Sequence, residues 1–160
     1  MKKMIIALGV IILILVVFQS FMVASTNNTE KQAYKVIKKE DDFEIRYYPP
    51  ATFATIQSSA KNYRELSGNG FRKIAGYIFG NNESSSKIAM TTPVHMDISD
   101  EGSSMSFVMP SAYDMNNLPR PNDANVQLHQ TAGEYVAAIA FGGFANDGSI
   151  KKYAAELETA

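Results

Sequence analysis

The sequence of 160 residues contains no cysteine. A chain without cysteine has no disulfide framework and no thiolate nucleophile, so its folded part depends on a hydrophobic core. It also lacks a Gly-x-Ser-x-Gly elbow, a phosphate-binding glycine loop and a His-Glu-x-x-His pair. The two histidines, His95 and His129, have no clustered carboxylates and make a poor metal or acid–base site. We therefore expect no enzymatic activity.

The sequence also has little excess charge of either sign. It carries 15 Lys and Arg against 16 Asp and Glu, a formal net charge of −1. Leaving out Lys2 and Lys3, which precede an apolar run, makes the remainder only slightly more acidic. Proteins that bind nucleic acid need a concentrated basic surface. We therefore expect no nucleic-acid partner.

The N-terminal segment combines Lys2 and Lys3 with an almost uninterrupted apolar run over residues 4–24. Such a segment is typical of a secretory signal peptide. A run of about 20 apolar residues is also long enough to span a bilayer. We expect residues 1–25 to be a signal peptide or an N-terminal membrane anchor, followed by a polar spacer over 26–33. Both alternatives place the rest of the chain outside the cytoplasm, as a periplasmic or secreted domain, with a possible membrane tether.

The centre of the remaining chain is an apolar helical stripe followed by an apolar strand. Phe71, Ile74, Ala75 and Ile78 follow the spacing of one helix face, and Gly80 is a typical residue to end the helix. Asn62 is a plausible N-cap for this helix. Two glycines at positions 68 and 70 leave open whether the helix begins only at residue 69.

Period-two alternation predicts several strands around this helix. After the helix, residues 87–98 place Met90 and Met96 on one side of a strand and His95 on the other. The segment 135–141 is apolar on both faces, as a central strand is. The other predicted elements are strands over 43–48, 51–57, 105–109 and 126–131 and a final helix over 147–159.

Six phrases of the sequence resemble the SOUL haem-binding protein family. They are FEIRYYPP (43–50), FRKIAGYIFGNN (71–82), KIAMTTPV (87–94), SFVMP (106–110), LPRPND (118–123) and AAIAFGGFA (137–145). The resemblance covers residues 34–160 and implies an α+β fold, a distorted antiparallel β-barrel of two pseudo-repeated ββαββ modules with two flanking helices. Family members continue for a few tens of residues, so we expect the second module to be truncated. The alternative is a shorter natural variant that closes its sheet differently.

The resemblance implies non-enzymatic binding of haem or a related tetrapyrrole. The family's proposed axial ligand is a His directly after Glu-Ile-Arg, but here Glu44-Ile45-Arg46 is followed by Tyr47. Tyrosinate does ligate ferric haem, so Tyr47 is the candidate metal ligand. Packing in the core is its alternative role. His95 and His129 are predicted to be surface residues.

Some family members are thought to hold the ring in an apolar groove without a strong axial bond, and we expect such a groove beside helix 69–79. Basic side chains at its rim would bind the haem propionates, although a solvated surface is their alternative role. The predicted cofactor-binding residues are Tyr47, Arg46, Arg72, Lys73, Ile74, Ile78, Lys87 and Met90. The alternative function is an envelope scaffold or partner-binding domain without a small ligand. Copper binding is disfavoured because the methionines of the domain are predicted to face the core.

Overall fold

A computed structural model describes residues 9–19, 29–99 and 101–160. The chain divides into two units, residues 1–30 and residues 31–160. In the first unit, residues 9–19 form helix α1, whose side chains from Val10 to Phe18 are exposed. None of the helices in the described ranges has both the length and the apolar composition needed to cross a membrane. Most of the expected leader and spacer, residues 1–8 and 20–28, lies outside the described residues, so the signal peptide or anchor stays a prediction.

From residue 30 onward the chain forms short strands and two longer helices. In chain order they are β1 (Glu30–Lys31), β2 (Lys35–Lys39), β3 (Glu44–Tyr48), β4 (Thr52–Ser58), α2 (Tyr63–Ile78), β5 (Thr91–Thr92), β6 (Val94–Ile98), β7 (Ser103–Val108), β8 (Val126–Gln130), β9 (Glu134–Ala138) and α3 (Asp147–Thr159). Strands β1 and β5 form a two-stranded sheet, β2-β3-β9 a three-stranded sheet and β6-β7-β4-β8 a four-stranded sheet. The two larger sheets are antiparallel, which confirms the α+β class.

Helix α2 packs on the four-stranded sheet. Its apolar stripe predicted from sequence is buried, with Ile74 and Ile78 at 0% and 1% exposure, against Met105 and Phe107 of β7. Phe71, at the edge of the stripe, is the exception because its side chain is 38% exposed. The centre of its ring lies 5.4 Å from the centre of the Phe107 ring. The helix and this face of the sheet together form the core.

The helix begins at Tyr63, so both glycines lie inside it. The Asn62 side chain accepts a hydrogen bond of 2.9 Å from the Glu65 backbone N–H, which caps the first turn. Gly70 faces the sheet at close range: a Cβ there would lie 3.2 Å from both Ile56 Cδ1 and Met105 Sδ. The intrinsic helix cost of Gly70 is therefore offset by close packing of α2 on the sheet.

Two predicted strands differ from the structure. The strand over 87–98 is divided at Pro93 into β5 and β6, and residues 87–90 are not in a strand. The central strand expected over 135–141 is instead β9, an edge strand of the three-stranded sheet in the described part of the chain. No closed barrel occurs among the hydrogen-bonded sheets of the described residues, and barrel closure and the module repeat stay predictions.

Helix α3 is less buried than α2. Asn146 caps it, with its side chain accepting from the Ser149 N–H, and none of its residues is fully buried. Its apolar face, Ile150, Tyr153 and Leu157, is half-buried. The two helices meet at their N-termini, where the Tyr63 N–H of α2 donates to Asp147 Oδ1 of α3 at 2.6 Å.

The contrast between Gly68 and Gly70, two of the three glycines of α2, gives a stability prediction. Gly68 is exposed, and nothing lies within 4 Å of a Cβ built there, so Gly68→Ala is expected to raise the free energy of unfolding by about 0.5–1 kcal/mol. Gly70→Ala is expected to lower the free energy of unfolding, because overpacking a core costs about 1–3 kcal/mol, more than the gain in helix propensity. Urea unfolding of both variants measures the difference. Equal stabilisation by the two substitutions would contradict the close packing at Gly70.

Candidate functional site

The predicted groove residues Ile74 and Ile78 lie in the core. Both face the four-stranded sheet and are shielded from solvent, as described above. Tyr77 is 1% exposed as well, and its hydroxyl donates to the Pro119 carbonyl at 2.9 Å. Burial, with a smaller contribution from Tyr113, raises the pKa of Tyr77 to about 12. Its phenol is therefore held protonated and is not a tyrosinate donor at neutral pH.

The outer face of α2 carries exposed aromatic and basic side chains. Phe71 and Phe79 are 38% and 57% exposed, and Arg72 and Lys73 between them are also exposed. Phe71 lies in the C-terminal half of α2, and Phe79 directly follows the helix as its C-cap. Eight residues at about 100° each place these positions about 80° apart around the helix axis, within the same half of its circumference. These residues, together with exposed Lys87, are called the α2 surface below.

The loop after α2 brings Lys87 back to the end of the helix. Asn82 is 1% exposed, and its side-chain N–H groups donate to the carbonyls of Tyr77 at 3.0 Å and Ser86 at 2.8 Å. The Ile88 N–H then donates to the Ile78 carbonyl at 2.8 Å. These hydrogen bonds hold the loop in place, so Lys87 lies beside the C-terminus of α2. Met90, three residues on, is half-buried and packs against the core.

Tyr47 lies on β3 of the three-stranded sheet, away from the elements that α2 contacts. Helix α2 packs on β4, β6, β7 and β8, all in the other large sheet. The Tyr47 ring lies 5.0 Å from the ring of Tyr135, its direct partner on β9. Its hydroxyl lies over Gly133, where a Cβ would overlap it. The structure thus does not bring Tyr47 together with the helix residues predicted to share its site.

Arg46 points to the opposite face of β3 from Tyr47, because neighbouring residues of a strand alternate. Its guanidinium forms an ion pair of 2.9 Å with Glu44 and lies 4.5 Å from the centre of the Tyr34 ring. A hydrogen bond with Tyr48 and the neighbouring Glu44 raise the pKa of Arg46. Arg46 and Tyr47 cannot both contact one flat ring on one face of the sheet.

A cleft beneath α3, with a volume of about 680 Å³, was not predicted. Apolar side chains of Phe43, Ile139, Tyr153 and Leu157 line it, while Asp41, Asp42 and Glu156 give it acidic groups. Its volume is in the range of small-molecule sites. The apolar spacing of α3 can be recognised in the sequence. The cleft, however, is formed by α3 together with residues 41–43 and 139–140, and local sequence patterns do not predict contacts between such distant segments.

The two histidines lie on the face of the four-stranded sheet opposite α2, on either side of buried Phe53. His129 is exposed, as predicted; its Nε2 is 2.9 Å from Thr55 Oγ1 and its ring stacks on Phe53. The prediction of a surface residue is wrong for His95, which is half-buried and contacts both Phe53 and Gln32. Its Nε2 shares a hydrogen bond of 2.7 Å with Gln32 Oε1, and burial lowers its pKa. The described residues contain no group of three metal-binding side chains.

Sequence comparison relates this chain to a class of proteins that are named for binding heme. Residues 29–160 match the sequence model of the family described as SOUL heme-binding protein, and the chain belongs to that family. Heme-binding protein 1 of Sus scrofa is 27% identical over an alignment of 144 residues that covers 83% of this chain and 76% of the relative. Heme-binding protein 2 of Mus musculus is 31% identical over an alignment of 112 residues that covers 65% of this chain and 54% of the relative. The resemblance derived from sequence phrases is confirmed.

The lowered pKa of His95 predicts how stability depends on pH. The unfolded state takes up a proton near the ordinary value of 6.5, whereas folded His95 resists protonation until lower pH; nearby Glu134 opposes this effect only in part. The contribution of neutral His95 is therefore present above pH 6.5 and is lost as pH falls below it.

The substitution His95→Gln removes this titration. Urea unfolding at pH 7.5 and 5.5 should show that the stability difference between parent and variant is smaller at the lower pH. A difference that stays constant between the two pH values would contradict the assignment to His95.

Proposed function

We propose that this chain binds haem or a related tetrapyrrole without catalysing a reaction, at the α2 surface. Membership of the SOUL heme-binding protein family and the printed names of the relatives support the ligand class. The observation that carries the position is the combination of two exposed phenylalanines with three exposed cations on the C-terminal half of α2 and the segment that follows it.

The chemistry of the α2 surface fits the two kinds of group that haem presents. Phe71 and Phe79 supply apolar contact for a flat macrocycle, and burial of apolar area contributes about 25 cal/mol per Å². Arg72, Lys73 and Lys87 supply cations for the two propionates, since charge-assisted hydrogen bonds to carboxylates are the stronger kind. When bound, haem also supplies an iron that accepts an axial ligand.

The α2 surface fits this ligand better than the cleft beneath α3. The cleft has sufficient volume, but Asp41, Asp42 and Glu156 at its margin would face the propionates with like charge. Phe43 lines the cleft and directly precedes β3, with the same side-chain orientation as Ile45 and Tyr47 in an alternating strand. A haem whose iron is bound by Tyr47 would therefore lie on the side of the domain that carries the cleft. Binding at the α2 surface therefore depends on ring burial and propionate pairing, with Tyr47 as the competing ligand to be tested.

We further propose that the domain is exported or membrane-tethered and that its strands belong to a repeated ββαββ arrangement. The lysines and apolar run of residues 2–24 support export. Reciprocal pairing supports the repeat: β3 pairs with β9, and β4 pairs with β8. The first strand of each half thus pairs with the second strand of the other, which is the relation expected of two similar halves in a distorted barrel.

Titration with hemin tests the ligand and its position. The parent chain is expected to give a saturable Soret change at one equivalent. Replacing Arg72 and Lys73 with Glu should weaken binding at least tenfold, a loss of about 1.4 kcal/mol, because two propionate contacts become repulsive. The matched control reverses the same charges on α3, as Lys151→Glu with Lys152→Glu, and should leave the affinity unchanged.

Two outcomes would contradict this proposal. An equal loss in both double variants would show that only net charge matters. A broad band without stoichiometry in the parent would instead favour the alternative function, a scaffold or partner-binding domain without a small ligand.

Ligation of the iron is tested by Tyr47→Phe. If burial of the haem ring supplies most of the binding free energy, the Soret position and the haem affinity of the variant match those of the parent. Gly133→Ala is a second probe, because the added methyl group displaces the Tyr47 hydroxyl while the phenol remains. A spectral shift in both variants would establish Tyr47 as the axial ligand and move the haem to the side of α3.

A further inference from the structure

The side chain of Asn82 lies at the centre of the loop that follows α2. Its nitrogen donates to the carbonyls of Tyr77 and Ser86, as described above. Its oxygen accepts from the Ser86 N–H and from the Ser84 hydroxyl, each at 3.1 Å. A carboxamide has two N–H donors and one oxygen with two lone pairs. All four hydrogen-bonding positions of this side chain are therefore used inside the protein.

The same loop completes the C-terminus of α2. The last carbonyls of a helix have no partner within the helix itself. Here the Tyr77 carbonyl accepts from the Asn82 side chain, and the Ile78 carbonyl accepts from the Ile88 N–H at 2.8 Å. Gly80, with a φ of +113°, turns the chain so that it can return to the helix. Both ends of the loop are therefore attached to the last turn of α2.

Lys87 stands between two attached residues. Ser86 before it bonds to Asn82 through both its N–H and its carbonyl. Ile88 after it is 2% exposed and bonds to the helix. The side chain of Lys87 is exposed, and its ammonium forms no ion pair within the described part of the chain. The backbone of Lys87 is thus held on both sides, while its charge is available to an external anion.

We propose that Asn82 is a positioning residue that holds Lys87 in place to bind a carboxylate of the ligand at the α2 surface. This inference rests on the proposed function, in which that carboxylate is a haem propionate. A loop that becomes ordered only on binding reduces affinity, because its conformational freedom is lost at that step. The Asn82 carboxamide orders the loop before the ligand arrives. Arg72 needs no such support because it lies within the helix.

A double-mutant cycle tests whether the contribution of Lys87 depends on Asn82. Asn82→Ala removes the hydrogen bonds of the carboxamide without adding a charge. In hemin titrations, Lys87→Gln should weaken binding roughly fivefold in the parent, the upper value for an exposed ion pair, and less than about twofold in the Asn82→Ala background. Arg72→Gln should weaken binding by the same factor in both backgrounds.

Two controls separate positioning from general damage to the domain. Hemin dimethyl ester carries no propionate charge, so Lys87→Gln should leave the affinity for the ester unchanged. Asn122→Ala is the matched asparagine variant. The Asn122 side chain bonds to Asn81 in the same turn at 3.3 Å but makes no hydrogen bond to residues 84–88. This variant should leave the affinity for hemin unchanged.

The folding of Asn82→Ala is checked by circular dichroism and urea unfolding, because the substitution removes a donor from two carbonyls at a buried position. Asn82→Ser keeps one hydroxyl donor and replaces the alanine variant in the cycle if that variant is unfolded. Hydrogen exchange of the Ile88 amide, measured without haem, should be faster in either variant than in the parent. This measurement reports release of the loop independently of ligand binding.

Three results would overturn the positioning role of Asn82. They are an equal effect of Lys87→Gln in both backgrounds, no effect of Lys87→Gln in the parent, or an equal loss of affinity for hemin and for its ester in Asn82→Ala. Each of them leaves stoichiometric haem binding by the parent intact. A parent without a saturable Soret change would instead reject the proposed function, and this inference with it.

Discussion

The close packing of α2 on the four-stranded sheet is the constraint on which the rest of the domain depends. Gly70 lets the helix approach β4 and β7 so closely that a methyl group would meet Ile56 and Met105. This contact commits Ile74 and Ile78 to the core. What remains of the helix for any ligand is its outer face, and that face carries the exposed phenylalanines and cations of the α2 surface.

The two halves of the domain therefore offer different environments. The first half has a filled core and presents its binding groups on the outside of a helix. The second half has an α3 without a fully buried residue and a cleft beneath it with acidic groups at the margin. An anionic flat ligand suits the first environment, whereas the acidic margin of the cleft disfavours it in the second.

Local patterns in the sequence predicted the elements, and the contacts between distant elements decided their roles. The spacing of Ile74 and Ile78 established a helix face, but the same spacing serves a groove or a core, and only the sheet beneath α2 distinguishes them. Alternation placed His95 and Met96 on opposite faces of their strand correctly, yet His95 forms its hydrogen bond with Gln32, 63 residues earlier in the chain, which no local pattern predicts. The apolar composition of β9 predicted a central strand, whereas within the described part of the chain β9 pairs only with β3. Strand pairing depends on segments that are distant in sequence, so local composition does not determine it. Family resemblance supplied the ligand class, whereas the axial ligand did not follow from it, because Tyr47 occupies the position at which the family's proposed ligand is a His.

The buried carboxamide of Asn82 has a consequence for covalent modification. Asn82-Glu83-Ser84 has the form of an acceptor for N-linked sugar, which export would bring within reach of a glycosylating machinery. The side-chain nitrogen that would receive the sugar already donates to two carbonyls, and the residue is 1% exposed. Once the loop after α2 has folded, this sequon is closed to an oligosaccharide, and the α2 surface stays free of glycan at that position.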